Sequence, residues 1–393
     1  MRLSWIEARD FRNHSDTRLD VPDGLVVAVG GNGEGKTNLL EAMYYGLTLS
    51  SPRSSSDQPL IRRGAHAAVV RCEAESAGGR ALIEVEIRPA GANRVQVNRS
   101  PLRRRRDIKR VARAVFFSPG DLAIVQGDPD ARRSFVDECL ATMWPVREPT
   151  ASAYERVLRQ RNRLLKDWEG RGEPTGLDAW DTELVTAGVA LMRARADAVD
   201  RVGPLAGEEF STLTGYGLDV RYVPSVAPEE WSEEAVGTAF RERLAARRDD
   251  ELVRRVTLVG PHRDDLGLFV RDLTARAFAS HGEAWAAAVA LRLGEAAAVA
   301  SEVGEPPVLL LDDPFPGLDP ARQVRLAERL AEPTAVSEGG GIMDRAADAV
   351  QRIPAEGERG QTVLSVADQG HVPAGAEAVW EVRAGRVTPR AAA

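Results

Sequence analysis

Eight residues confine this chain to a small set of folds: Gly30-Gly31-Asn32-Gly33-Glu34-Gly35-Lys36-Thr37 is a complete phosphate-binding loop. It follows the apolar run Leu25-Val26-Val27-Ala28-Val29 and leads into a helical segment, Lys36 to Tyr45. That strand–loop–helix context separates a working loop from a glycine-rich surface turn. Glycines let the backbone curl with its N–H groups inward, and with the helix N-terminus they form a nest for phosphate oxygens. Lys36 would reach the β- and γ-phosphates of ATP or GTP, and the Thr37 hydroxyl would ligate Mg²⁺. Residues 30–37 with Asn38 are the candidate nucleotide set. The chain has only three lysines, Lys36, Lys109 and Lys166, so a lysine at this position amid so much arginine is not an accident of composition.

At 393 residues the chain exceeds one typical core, which predicts two domains or one domain with a large insertion. No run of eighteen apolar residues occurs, and Arg9, Asp10 and Arg12 stand where a secretory leader would be apolar. The expectation is a cytoplasmic protein with no membrane role. Cys72 and Cys139 are too few for a disulfide framework or a zinc site and read as small buried hydrophobes. A net charge of −7 argues against a surface coated in nucleic-acid-binding charge, but one segment is densely basic. From Arg99 to Arg113 it holds Arg103, Arg104, Arg105, Arg106, Lys109 and Arg110 against a single Asp107. These are candidate DNA contacts if they share a face. Arginine replaces lysine throughout the chain, so a solvated loop and helix face explains the same run.

The first forty residues predict a short hairpin, with a turn at Val21-Pro22-Asp23-Gly24. Strands over 67–73, 81–88 and 94–97 follow, an antiparallel β subdomain. From Pro129 to about Asp250 the texture is helical, broken at Gly170–Pro174. Leu158, Leu164, Leu165 and Trp168 before the break, and Trp180, Leu184, Val189, Leu191 and Met192 after it, predict two antiparallel helices with a shared core. The organisation expected is an ATPase head over 1–125 and 253–393, with an inserted helical lobe over 126–252.

Pro307-Val308-Leu309-Leu310-Leu311-Asp312-Asp313 is a buried strand ending in two carboxylates. Ligands bind at the C-terminal edge of open α/β sheets, so Asp312 would hold Mg²⁺ and Asp313, with Lys36 the candidate catalytic pair, would polarise the attacking water. Asp312 lies 275 residues beyond Thr37. That separation is the layout of an ABC-type head split by an insertion: an α/β fold with a mixed sheet and an antiparallel β subdomain. Such heads sandwich two nucleotides between two copies. Ser280-His281-Gly282-Glu283, before an alanine-rich helix, is the candidate signature, with Ser280 and the Gly282 N–H directed at the partner's γ-phosphate. Its place about thirty residues before Asp312 favours this over a plain helix cap.

Taken together, the motifs resemble the RecF family, whose heads are similar to those of SMC and ABC ATPases. The resemblance spans the chain: Arg9-Asp10-Phe11-Arg12-Asn13, Gly33–Asn38, Pro59–Gly64, Phe117–Leu122, Gly127-Asp128-Pro129 with Arg132-Arg133 and Phe135, Gly260–Asp265, Ser280–Glu283 and Leu318-Asp319. It implies an ATP- and Mg²⁺-dependent DNA-binding homodimer that recognises gapped or damaged DNA and helps RecO and RecR load RecA. A nucleotide-gated scaffold without significant hydrolysis, or another SMC-like ATPase, is the alternative. Departures from the family pattern are Gly120 in place of a Glu, Pro314 and Pro316 around Phe315, and Ala286 after Trp285. The segment Glu332 to Gly360 is expected to be a loop with one helix. After Thr362–Val366, where transporter ATPases keep a switch histidine, stand Ala367-Asp368, which points to slow hydrolysis.

Overall fold

The computed structural model describes residues 1–170, 174–331 and 360–390. A hairpin, β1 (Arg2–Phe11) and β2 (His14–Asp20), precedes the phosphate-loop strand β3 (Leu25–Val29) and its helix α1 (Lys36–Thr48). Strands β4 (Ala68–Ser76), β5 (Gly79–Ile87), β6 (Arg94–Val97) and β7 (Ser100–Pro101) extend the hairpin into an antiparallel sheet of order β2-β1-β4-β5-β6-β7. Alternate residues of β4, Ala68, Val70, Cys72 and Ala74, are buried, as expected of a sheet with one covered face. After β8 (Ala114–Phe117) come α2 (Leu122–Gln126), α3 (Pro129–Met143), α4 (Pro149–Asp167), α5 (Leu177–Thr214), β9 (Leu218–Val223) and α6 (Glu233–Arg254). The chain then runs through β10 (Asp265–Val270), β11 (Leu273–Thr274), the single turn α7 (Ala275–Phe278), α8 (His281–Val303), β12 (Val308–Asp312) and α9 (Pro320–Ala331). It closes with β13 (Thr362–Val366), β14 (Ala378–Arg383) and β15 (Arg386–Arg390).

The central sheet has the order β15-β14-β3-β13-β12-β8 and is parallel except at the β14–β15 edge. Strands β3, β8, β12 and β13 are largely apolar and buried throughout because both faces are covered. Leu25, Val27, Val115, Phe117, Leu309, Leu311 and Leu364 pack on one face against α2, α3, α5 and α8. Val26, Ala28, Phe116, Val308, Leu310 and Val363 pack on the other against α1 and the antiparallel sheet. The two-residue period of a strand therefore sets which catalytic side chain faces which helix.

The break near residue 170 is where α4 ends and α5 follows, and the two helices share a core with α6 around Tyr154, Leu184, Val189, Met192 and Phe240. Residues 126–252 are not wholly helical. Leu218–Val223 pairs with β10 in a three-stranded sheet. Its Leu-Asp-Val-Arg-Tyr-Val alternation between Gly217 and Pro224 is a period-two signal hidden among long helices. Val259 also packs in the helical-lobe core, beyond the expected boundary at 252. The loop expected over 332–360 lies outside the described residues, apart from Gly360. Cys72 and Cys139 are free and buried, and burial pushes the Cys72 thiol up to about 12.

Helix α8 is the one described helix long and apolar enough to cross a membrane, yet 89% of that window is buried among its neighbours. It is the central helix of the core, and its closest crossing is with α5 at Gly294. A methyl there would lie 2.7 Å from Ala206 Cα and 2.8 Å from Ala206 Cβ. Gly294→Ala is therefore expected to cost about 1–3 kcal/mol from overpacking, despite the roughly 1 kcal/mol that alanine gains over glycine in a helix interior. A urea midpoint equal to or above the parent's would overturn this.

Candidate nucleotide-binding site and its surroundings

The chain leaves β3 at Val29 and turns through Gly33 and Gly35, whose φ values of +82° and +115° glycine adopts without strain. Lys36 is buried, and its Nζ donates to the carbonyls of Gly30 at 2.6 Å and Gly31 at 2.9 Å. Burial lowers its pKa, while Asp313, Asp312 and Glu34 oppose that shift. Glu34 turns to the β14–β15 turn: its carboxylate accepts the Ala384 N–H and its carbonyl accepts Gly385 N–H at 2.8 Å. The β1–β2 tip buttresses the loop from below. Buried His14 contacts the Gly35 carbonyl through Nε2 at 3.0 Å, and Asn13 bridges the Glu34 carbonyl (3.2 Å) and Asn38 (2.8 Å). Arg12 pairs through two nitrogens with Glu41 of α1, at 2.9 and 2.8 Å. The sequence flagged Asn13 by resemblance but gave it no task.

Asp312 is in phase with Val308 and Leu310 and so faces α1. Thr37 Oγ1 donates to Asp312 Oδ1 at 2.9 Å, and Ser365 Oγ donates to the same oxygen at 2.7 Å. A hydroxyl and a carboxylate oxygen this close fit Mg²⁺ shared with phosphate oxygens and water. No group of three His, Cys, Asp or Glu among the described residues could hold a metal alone. Asp313 sits at φ +50°, a strained conformation for a non-glycine, held by its N–H donating to Ser365 O at 3.2 Å and Oγ at 3.1 Å. Burial and then Asp312 push its carboxyl above the usual range, opposed by Lys36 and His371.

Ala367-Asp368 stand after β13, as the sequence reads, and a histidine follows three residues further on, at His371. The turn Gln369–His371 carries the imidazole back over buried Phe315, stacked at 5.8 Å and 14°. Its position, past Ala367-Asp368, hid it from motif spacing.

Ser280 caps α8 reciprocally with Glu283: Glu283 N–H donates to Ser280 Oγ at 3.3 Å, and Ser280 N–H donates to Glu283 Oε2 at 2.8 Å. Tyr216 and the Ser280 backbone hold the Glu283 carboxyl down at about 2. Ser280 and His281 are exposed, and Gly282 lies against Arg322, where a methyl would sit 3.0 Å from Nη1. Among the described residues no hydrogen bond or ion pair joins Ser280, His281 or Gly282 to residues 30–38. Trp285, one turn on, donates to the Pro314 carbonyl at 2.6 Å and so ties α8 to the loop after Asp313.

In the basic run, Arg105 is exposed yet anchored: it pairs with Asp57 at 2.9 Å, contacts the Leu49 carbonyl and lies 5.8 Å over the Tyr45 ring. Arg103, Arg104 and Arg110 are exposed, and Arg106 and Lys109 are half-buried.

Gly260–Asp265 is a junction between the helical lobe and the head. Arg132 pairs with Asp265 at 2.5 and 2.9 Å, Arg133 donates to the Asp264 carbonyl at 2.6 Å, and Arg195 donates to Pro261 O at 2.7 Å. His262 contacts the Thr257 carbonyl through Nε2 at 3.1 Å and Tyr154 Oη through Nδ1 at 2.7 Å. A neutral ring protonated at Nε2 satisfies both partners. Burial lowers its pKa to about 4. The folded value is below the unfolded one near 6.5, so the unfolded chain binds more protons between these pH values. Stability should fall by an amount on the order of 3 kcal/mol as pH drops from 6.5 toward 4. His262→Gln should flatten that slope in urea unfolding at pH 7 and 4.5; an unchanged slope would reject it.

The profile of the RecF/RecN/SMC N terminal domain matches residues 2–337. The DNA replication and repair protein RecF of Cutibacterium acnes is 43% identical over 358 residues, covering 84% of this chain and 90% of that protein. The chain belongs to the RecF family. The RecF of Kineococcus radiotolerans is also 43% identical, with the same coverage. A solved structure of the recombination mediator protein RecF-ATPrS in the RecFOR pathway is 25% identical, with a TM-score of 0.84 over 99% of this chain and 98% of that one. A Pyrococcus furiosus Smc head at TM-score 0.55 and 15% identity, covering 99% of this chain and 96% of that one, shares the fold.

Proposed function

We propose that the chain is an ATP-dependent DNA-binding recombination mediator: it dimerises on ATP, binds gapped or damaged DNA in the cytoplasm and, with RecO- and RecR-like partners, promotes RecA loading. The nucleotide switch in this reading is carried by the 2.9 Å bond from Thr37 to Asp312, which joins the phosphate-loop helix to the acidic strand across 275 residues, and the mediator role is supported by the likeness to proteins named RecF. We take residues 1–125 and 253–393 as the head and 126–252 as the insertion, of which α3, the C-terminal half of α5 and β9 pack back on the head's core and sheet.

Residues 30–35 and Asn38 cradle the phosphates, and Lys36 moves from the Gly30 and Gly31 carbonyls to the β/γ oxygens. Mg²⁺, held by Thr37 and Asp312, would neutralise charge on those oxygens. Asp313 orients the attacking water and accepts its proton. Outward-facing Ser280 and the Gly282 N–H cap the γ-phosphate bound by a second copy. Because ATP binds the dimer better than the monomer, losing the γ-phosphate removes the differential contact and opens the pair. Arg103, Arg104, Arg106, Lys109 and Arg110 contact DNA phosphates, while Arg105 shapes their platform. Hydrolysis is slow and DNA-stimulated, so the nucleotide serves as a switch.

Sedimentation with and without ATP and Mg²⁺, on gapped and on fully duplex DNA, tests nucleotide, dimer and substrate together. An ATP-dependent dimer that prefers gapped DNA is expected. A chain that stays monomeric at saturating ATP would overturn the clamp.

A further inference from the structure

A buried charge cluster joins the helix behind the phosphate loop to the helix capped by Ser280. Arg292 of α8 donates through Nη1 to Glu138 Oε2 and Glu295 Oε2 and through Nη2 to Asp121 Oδ1, each at 2.8 Å. Tyr44 of α1 donates to the other oxygen of Glu138 at 2.7 Å. The second oxygen of Asp121 accepts the Ser118 N–H at 2.8 Å, which fixes the turn after β8. So that turn, α3 and α8 meet at one guanidinium, and α1 joins them through Tyr44 and Glu138.

Three carboxylates around one guanidinium leave surplus negative charge where charge is costly to bury. Burial pushes the Glu295 carboxyl up; Arg292 pulls it down and Glu138 adds to the rise. Arg292 also has a donor in reserve, since its buried Nε has no acceptor. A cavity of about 1040 Å³ opens beside the cluster, lined by Tyr44, Asp121, Glu138 and Arg292 together with Arg106 and Lys109. Surplus acceptors, a spare donor and adjoining space allow more than one set of pairings, the property that lets a packed junction switch between discrete arrangements.

We propose that Arg292 is a positioning residue that couples the two halves of the ATP site: displacement of α1 when the phosphate loop fills passes through Tyr44 and Glu138 to Arg292, and so to α8 and its Ser280 turn. This rests on the assignment of Ser280 and Gly282 to a partner's nucleotide. None of the cluster residues belongs to the phosphate loop, the acidic pair or the capping turn, so ATP affinity and ATP-driven dimerisation should come apart.

The full chain carrying Tyr44→Phe or Glu138→Gln is compared with the parent for binding of a fluorescent ATP analogue at dilute protein and for ATP-dependent dimerisation by sedimentation. Nucleotide affinity within about twofold of the parent is expected, with the dimerisation midpoint moved to about tenfold higher protein concentration, inside the usual range of coupling between sites. Arg292→Lys, which keeps the charge, should fall between parent and Glu138→Gln. Variants that dimerise like the parent would overturn the proposal, as would variants whose nucleotide affinity and dimerisation fall in proportion, the mark of a merely structural defect. A parent that stays monomeric with ATP would reject the dimer assignment in its own arm, and this coupling with it.

Discussion

Lys36→Arg is expected to keep ATP binding within about an order of magnitude while turnover falls roughly 10²–10³-fold, the cost of losing one preorganised charge at developing phosphate negativity. The backbone nest supplies much of the binding and is untouched. The ammonium is a compact point charge, and its Nζ already sits 2.6 and 2.9 Å from two loop carbonyls at the centre of the turn. A planar guanidinium is larger and presents its donors in a fixed fork, so it cannot occupy that point and also reach the γ-phosphate in the same geometry. Burial, which lowers the Lys36 pKa, adds that the cation is held where its charge is incompletely solvated and available to an anionic partner. Phosphate release at saturating ATP, alongside fluorescent-nucleotide titration, separates the two effects. Equal turnover in variant and parent would remove Lys36 from the catalytic set.

Local chemistry was legible in the sequence where it is continuous along the chain. The strand at Leu25–Val29 and the helix start at Lys36 follow from adjacent residues, and the structure places both where the pattern put them, while the reciprocal cap at Ser280 forms where the sequence reading had preferred a signature to a plain cap. The assembly of Thr37 with Asp312 was legible too, because strand phase and the C-terminal-edge rule both aim the carboxylate at the loop. Long-range partners were not. Ser365 bonds Asp312 from a strand with no motif of its own, and His371 returns to the site through a turn rather than along the strand. The basic run shows the same limit: composition counts Arg105 as a free cation, while folding commits it to Asp57. Charge density along a sequence does not say which side chains remain available after packing.

Asp313→Asn is the sharper test of mechanism, with an expected fall in turnover of about 10²–10⁴-fold for loss of a general base. The substitution keeps volume and backbone. Asn tolerates the left-handed conformation at φ +50°, and the N–H bonds to Ser365 do not involve the side chain. Removing the carboxylate also removes a charge that Asp312 and burial disfavour, so ATP binding and folding should be preserved or slightly strengthened. The ATP-bound dimer should then persist on gapped DNA after the parent has released, measured as a slower dissociation rate in the presence of ATP. If parent and variant dissociate alike, hydrolysis does not time release, and the nucleotide acts only by occupancy, as in a gated scaffold that recruits repair partners. The hydrolytic cycle is the expected outcome because Asp313 follows the Thr37–Asp312 contact directly at the end of β12, where a carboxylate can reach a water beside the phosphates.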